Sequence, residues 1–269
     1  MCCADKKEEL PANLPQQIRE RIAEKPYTVD QVGMSGSYIA CFADSVLKVE
    51  RQGEESDNEQ RMMAWLKGRL PVPDILCAVS QDGYHYLLMS RVEGEMACCD
   101  RLLAQPERLV RLLAQGLRRL WRVPTADCPS NNDLNAKLCM AEQRVADGLC
   151  STEDAEPGTY GPGSFSSPKE LLAWLKGNRP NQQLVFTHGD YCLPNLFVKG
   201  ERISGFIDLG RSGLADPYQD IALCYRSLLH NLTQAGQDWH RYVSLFFQEL
   251  ELTPDWEKIR YYILLDELF

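Results

Sequence analysis

Residues 185–208 read VFTHGDYCLPNLFVKGERISGFID, and their reading decides the fold. An apolar run, Val185 to Thr187, delivers His188, Gly189 and Asp190, and Asn195 follows five positions after Asp190. Two further runs, NLFVK from Asn195 and ISGFID ending at Asp208, flank Gly200-Glu201-Arg202, a turn signal. A hairpin that turns at Glu201-Arg202 sets Asn195 opposite Asp208 at its open end. Opposed residues of an antiparallel pair have Cα atoms roughly 4.5–5.5 Å apart, so two side-chain oxygens meet there. A few hard oxygen ligands of this kind suit Mg²⁺, with water and phosphate oxygens completing its shell. Asp190 enters from the loop, where a carboxylate can accept a proton from an incoming hydroxyl. The spacing thus predicts Asp190 as a base, with Asn195 and Asp208 as metal ligands.

Working outward, the N-terminal third reads as strand-rich. A polar helix near Pro15–Glu24 precedes the strand-like YTVDQV and SYIACFA, which flank the turn Gly33-Met34-Ser35-Gly36. SVLKVE is a third strand, and PDILCAVS and YHYLLMS join around Asp82-Gly83 as two more. Between them SDNEQRMMAWLKGRL reads as a helix, with Ser56 and Glu59 matching a capping box. The small residues of the glycine turn let backbone N–H groups approach a phosphate. A plain hairpin turn fits them equally well. Lys48 stands in an otherwise apolar strand, and an inward strand lysine needs a partner, for which Glu59 is the natural candidate. On these two residues alone, a solvent-facing Lys48 and a merely capping Glu59 remain open. Beside Asp190, Asn195 and Asp208 the paired reading is preferred, because such a pair can hold nucleotide phosphates.

From about residue 100 the pattern becomes helical. PERLVRLLAQGLRRLW repeats Leu at helical spacing and stops before Pro124, and NAKLCMAEQRVADGL is another helix. A Gly/Pro/acid-rich loop over Cys150–Ser167 leads into a helix opened by Ser167-Pro168-Lys169-Glu170, a capping box with Pro at its first position. Three helices close the chain, roughly Pro217–Leu229, Asp238–Leu250 and Asp255–Leu265. The division is residues 1–90, a hinge at 91–94, and residues 95–269, and pockets favour such junctions.

Composition bounds the function. The chain has 269 residues, a net charge of −9 and a pI of about 5.1, which argues against a surface that tracks nucleic-acid phosphates and suits a cationic partner. No run of about 18 apolar residues exists and the N-terminus lacks an apolar signal core, so a cytoplasmic location is expected. The 11 cysteines include the adjacent pairs Cys2-Cys3 and Cys98-Cys99 but no CxxC spacing, so no zinc site is expected. Cys192, inside the decisive loop, is read as passive.

THGDYCLPN followed by GFIDLGRSGLADPYQDIA closely resembles the aminoglycoside phosphotransferases, relatives of the protein kinases. The likeness includes Lys48, MMAWLKGRLPVP, YLLMS and WEKIRYYILLDELF, so it spans nearly the whole chain, and it points to the 3′-phosphotransferase (kanamycin kinase) branch. The resemblance implies an α+β, two-lobed protein-kinase-like fold. Its N-terminal part is a five-stranded antiparallel sheet with one helix, and its C-terminal lobe is mostly helical. ATP, with GTP as the alternative, would lie in the cleft against Ser35, Gly36, Lys48 and Glu59. Ser90, Arg91 and Val92 would form the hinge that meets the adenine. Asp190 would deprotonate or orient the antibiotic 3′-hydroxyl, Asn195 and Asp208 would hold Mg²⁺, and Arg211 would lie near the substrate. His188, Asp216 and Asp220 would brace the loop and cap a helix.

On the drug side the resemblance implies contacts from Asp266, Glu267 and the terminal carboxylate of Phe269. It also implies a covering loop whose carboxylates here are Glu153, Asp154 and Glu156. A polycationic drug calls for carboxylates more than apolar walls. The chain departs from its relatives after Arg226. There SLLHNLTQAGQDW puts His230 and Asn231 where acidic residues are expected, with Asp238 further along. The expected activity is ATP-dependent O-phosphorylation of an aminoglycoside by direct in-line transfer, giving resistance. A kinase of another small alcohol (choline-, homoserine- or macrolide-type) and a nucleotide-binding pseudokinase are the alternatives. The expected partner is a small-molecule aminoglycoside, with no nucleic acid or membrane, and the expected state is a monomer or weak dimer.

Overall fold

The computed structural model describes residues 10–30 and 36–269. The expected five-stranded antiparallel sheet is present. It comprises β1 (Tyr27–Val29), β2 (Tyr38–Phe42), β3 (Ser45–Arg51), β4 (Ile75–Gln81) and β5 (Tyr84–Ser90), in the order β1-β2-β3-β5-β4. Asp82 and Gly83 turn β4 into β5 with φ of 53° and 78°, the pairing that suits strand twist in a two-residue hairpin.

Strand alternation sends the sheet's side chains to two cores. Leu47, Val49, Tyr86 and Leu88 pack with Leu14, Ile18 and Ile22 of α1 (Gln16–Ile22) and its approach. Leu87 and Met89 face the other way, toward Met62, Met63 and Leu66 of α2 (Glu54–Leu66). Lys48 alternates with Leu47 and Val49, so it falls on the α2 face, as does Glu50. Helix α2 begins ahead of the expected Ser56 cap. Ser56 instead lies in the first turn, where its Oγ accepts from Gly53 N–H at 2.9 Å. That frees Glu59 from capping.

The chain leaves β5 at Ser90 and crosses to β6 (Glu95–Met96) and α3 (Asp100–Leu103), two short elements that the sequence pattern did not reveal. The core of the helical part is α4 (Pro106–Trp121), whose Leu109, Val110, Leu113, Ala114, Leu117 and Leu120 are fully buried. Around it lie α5 (Leu134–Ala146), α6 (Pro168–Gly177), α7 (Pro217–Gln234), α8 (His240–Leu250) and α9 (Trp256–Asp266). Helix α7 runs five residues past its expected end at Leu229, to Gln234. At α6 the capping is split. Ser167 Oγ accepts from Glu170 N–H, while Glu170 Oε2 accepts from Ser166 N–H and not from the cap residue.

Strand β7 (Val185–Thr187) pairs with β10 (Gly213–Ala215), and β8 (Leu196–Lys199) pairs with β6 and with β9 (Arg202–Phe206). The β8–β9 hairpin differs in register from the simple count. Lys199 faces Arg202 and Val198 faces Ile203, but Phe197 faces Gly205, so Ser204 is an extra residue. Its Oγ donates to Glu93 O at 2.6 Å, which ties the bulge to the crossing segment. Asn195 therefore lies opposite Ile207, whose N–H donates to Asn195 O at 3.0 Å, and Asp208 is the next residue beyond. Among the described residues no helix is long and apolar enough to cross a membrane. The nine described cysteines, the adjacent Cys98 and Cys99 included, are free.

Candidate active site

Asp190 stands just past β7, and its surroundings fix the loop. Gly189 has φ of 85°, and a Cβ there would come within 1.9 Å of Arg211 O, so only glycine lets these two backbones approach. His188 N–H and Gly189 N–H donate to the two oxygens of the buried Asp220 at 2.7 and 2.8 Å. Burial pushes the Asp220 carboxyl up to about 7 against those two donors. The fully buried His188 ring packs on Tyr191 and Phe206, and its Nδ1 accepts from Asp190 N–H at 3.3 Å. Asp216 caps α7 by accepting from Tyr218 N–H. These three residues take the bracing positions the sequence suggested.

Asn195 Nδ2 donates to Asp190 Oδ2 at 2.8 Å and to Asp190 O at 3.0 Å. Both partners are acceptors, so the amide must present its NH₂ to them, which directs its carbonyl Oδ1 elsewhere. Asp208 follows with φ of 58°, a left-handed conformation that Asp tolerates better than most residues. The 40 % exposed Asp208 side chain pairs through Oδ1 with Lys48 Nζ at 3.0 Å. Lys48 is also 2.8 Å from Glu59 Oε2 and 3.3 Å from Glu50 Oε2. Burial alone would lower the Lys48 ammonium, but the three carboxylates, Glu59 foremost, hold it above its ordinary value. Burial opposes the Asp208 charge in turn, yet Lys48 keeps that carboxyl below its ordinary value.

Helix α2 clamps the loop that follows Asp208, between β9 and β10. Glu59 Oε1 accepts from Leu209 N–H at 3.3 Å, and Asn58 Nδ2 donates to Gly210 O and Ser212 O at 2.8 and 2.9 Å. Arg211 reaches from Glu55 Oε1 at 3.0 Å to Asp266 Oδ1 at 3.5 Å. Asp266 also accepts from Arg226. Arg226 lies 3.8 Å from Glu267 Oε1 and 3.7 Å from Glu156 Oε1, and Glu156 N–H donates to the Glu267 carboxylate at 3.2 Å. The arginine thus binds the end of α9 to the acidic loop. Phe269 lies among cations, its ring 4.8 Å from Lys137 Nζ and within 6 Å of Arg144 and Arg211.

The structure brings together Asp190, Asn195, Asp208, Lys48 and Glu59, and it gathers Arg211, Asp266, Glu267, Phe269 and Glu156 beside them. Glu153 and Asp154 stay exposed in a turn around Ser151, whose Oγ donates to Asp154 Oδ2 at 2.9 Å. Ser35 lies outside the described residues, and Gly36 lines a cavity of about 640 Å³ with Glu55, Lys137, Arg144, Arg211 and Phe269. That cavity does not include Asp190, Asn195 or Asp208. At the end of β5, where a hinge was expected, Ser90 N–H donates to Asp74 O at 2.9 Å and Arg91 N–H to Asp44 O at 3.2 Å. Both amides are therefore already committed within the sheet. The sequence reading missed Glu50, Lys137 and Arg226. Glu50 had a signal, since residues two apart on a strand share a face.

A match to the phosphotransferase enzyme family covers residues 35–262. An aminoglycoside 3′-phosphotransferase of Enterococcus faecalis is 42% identical over 79% of this chain and 78% of its own. One from Staphylococcus aureus is 40% identical over 94% and 93% of the two chains, and one from Niallia circulans 38% over 96% and 98%. Among solved structures, an aminoglycoside-3′-phosphotransferase of type VIII superposes with a TM-score of 0.79 at 26% identity, covering 94% of this chain and 97% of that one. The aminoglycoside phosphotransferase APH(3″)-Id of Streptomyces rimosus, solved with ADP and streptomycin, superposes with a TM-score of 0.78 at 28% identity over 93% and 95% of the two chains. This chain therefore belongs to the phosphotransferase enzyme family.

Proposed function

We propose that this protein transfers the γ-phosphoryl group of ATP to the 3′-hydroxyl of an aminoglycoside and so confers resistance to the drug. The observation that carries the reading is the Asn195 amide, which holds Asp190 at 2.8 Å and turns its carbonyl oxygen away from that base. The names of the relatives supply the acceptor class, and the ADP–streptomycin complex of a relative supports a nucleotide beside a drug.

Residues 1–90 form the nucleotide lobe in this reading, 91–94 the hinge, and 95–269 the lobe that binds the drug. Ser90 and Arg91 spend their amides inside the sheet, so Val92 is the hinge donor assigned to adenine. Lys48, steadied by Glu59, takes the α- and β-phosphates, and the glycine turn with Ser35 and Gly36 covers them. Asn195 and Asp208 offer oxygens only. Two such ligands fit Mg²⁺, which commonly takes one or two protein ligands and fills its shell with water and phosphate. The ion when bound neutralises charge on the transferring group. Asp190 takes the proton of the acceptor hydroxyl. Asp266, Glu267, Glu156 and the Phe269 end face the drug's ammonium groups, which share the first three carboxylates with Arg211 and Arg226 and the last with Arg144. Glu153 and Asp154, exposed on the same loop, offer the next charges outward.

Purified protein incubated with ATP, Mg²⁺ and kanamycin or neomycin tests the proposal. Drug-dependent ADP release is expected. Its absence across a broad aminoglycoside panel, with release driven instead by choline or homoserine, would replace this acceptor by another small alcohol.

A further inference from the structure

The Asp190 carboxylate is held unequally at its two oxygens. Oδ2 accepts from Asn195 Nδ2 at 2.8 Å, an amide donor that also grips the Asp190 carbonyl. Oδ1 accepts from the Cys192 thiol, with Sγ 3.0 Å away. A thiol is a weak donor and an amide N–H a good one, so Oδ2 is fixed and Oδ1 is lightly held. Burial, and then Asp190 itself, push the Cys192 thiol well above its ordinary value, so it stays protonated and serves as a donor. The backbone keeps this contact in place, because Cys192 N–H donates to Asp190 O at 2.8 Å. Arg226 and Asp266, the groups assigned to the drug side, are the other charges that act on the thiol. The thiol therefore occupies Oδ1 of the proposed base, within reach of the charges of Arg226 and Asp266.

We propose that Cys192 is a positioning residue: its thiol occupies the position of the acceptor hydroxyl on Asp190 Oδ1 and is displaced by that hydroxyl when substrate binds. This inference rests on the proposed role of Asp190. In the step that follows, the acceptor oxygen forms a bond to the γ-phosphorus of ATP while the bond from that phosphorus to the bridging oxygen breaks, and ADP leaves. The acceptor's O–H bond breaks and its proton passes to Asp190 Oδ1. Oδ2 remains on Asn195 throughout, so the carboxylate does not rotate when the thiol lets go. A weak donor suits this task, since it presents Oδ1 without competing strongly for it. A hydroxyl is a stronger donor than a thiol, so on the same carboxylate it would be held more tightly and would be harder to displace.

Packing and displacement predict opposite orders for two small substitutions. Were Cys192 only filling space, Cys192→Ser, nearly isosteric, would be milder than Cys192→Ala. Displacement predicts the reverse. The test measures kcat and KM for kanamycin and KM for ATP in Cys192→Ser, Cys192→Ala, Asp190→Ala and the unaltered protein. The expected result is a kanamycin kcat/KM at least about fivefold higher in the Ala than in the Ser variant, equivalent to about 1 kcal/mol. The loss in Ser is expected mainly in the drug KM, with ATP KM unchanged. A ratio below that, a Ser variant equal to or better than Ala, or a parallel rise in ATP KM overturns the inference. Full turnover in Asp190→Ala would instead overturn the assignment of the base on which it rests.

Discussion

Lys48 and Asp208 are 160 positions apart in the chain, yet Lys48 Nζ lies 3.0 Å from Asp208 Oδ1. This contact joins the third strand of the N-terminal sheet to the segment just past the β8–β9 hairpin. Lys48 does so while also paired with Glu59, which is 2 % exposed. Replacing Lys48 by Met leaves a buried carboxylate without its cation. Breaking a buried pair from one side costs about 3–5 kcal/mol, so a loss of that order is expected in chemical denaturation. Nucleotide binding should be lost with it, by calorimetric titration with ATP. An unchanged denaturation midpoint would show that Lys48 and Glu59 are not paired in solution.

Asn195 is assigned two tasks through one side chain. Asn195→Ala should therefore lower kcat by about 10²-fold or more, the scale at which positioned acid–base groups act. Its effect should depend on Mg²⁺ concentration, because one metal ligand is gone. Steady-state kinetics over a Mg²⁺ series checks this. A kcat within twofold of the unaltered protein at every concentration would remove both roles.

Gly116 on α4 meets the loop that carries Asp190. A Cβ there would lie 2.1 Å from the hydroxyl of the fully buried Tyr191, which donates to Leu113 O at 2.9 Å. Ala usually stabilises a helix by about 1 kcal/mol over Gly. Overpacking a filled core costs about 1–3 kcal/mol, so the clash should win and Gly116→Ala should lower the melting temperature. A rise in thermal denaturation would mean that Tyr191 moves aside at little cost.

Lys137 is 4 % exposed and has no carboxylate within ion-pair distance among the described residues. Burial, then Arg211, lower its ammonium to about 8 from an ordinary 10.5. Below pH 8 the folded and unfolded chains both carry this proton, and the buried charge costs about 3 kcal/mol. Between about pH 8 and 10.5 the unfolded chain binds the proton and the folded chain does not, so this cost fades as pH rises. Lys137→Met should therefore be more stable than the unaltered protein near pH 7, with an advantage that shrinks above pH 8. Denaturation of both proteins from pH 7 to 10 checks it, and a pH-independent difference would contradict it.

The sheet was legible because its strands are short runs rich in aromatic and aliphatic residues, several of them broken by Asp or Gly, as at Asp30, Asp44 and Asp82-Gly83, and the helices because Leu and acid caps recur at the right spacing. The hairpin register was not. Ser204 adds one residue without changing the pattern of its neighbours, and only its bond to Glu93 O explains the bulge. The α2 start was misplaced because Ser56 and Glu59 have capping-box spacing, while the tertiary contact to Lys48 draws Glu59 inward. The core residues of the site were visible as chemistry at fixed spacing along one stretch. Arg226, Lys137 and the Cys192 contact were not, because each depends on packing between distant segments or on the direction of one side chain. The short β6 and α3 have too few residues to show a period.

The most direct test of the central claim measures ADP production with ATP, Mg²⁺ and two aminoglycosides that differ only in the 3′-hydroxyl. It uses the unaltered protein and Asp190→Ala. The account predicts drug-dependent ADP only with the drug that carries the hydroxyl, and a kcat lower by about 10²–10⁴-fold in the variant. Equal turnover of the 3′-deoxy drug, or an Asp190→Ala variant as fast as the unaltered protein, would contradict it.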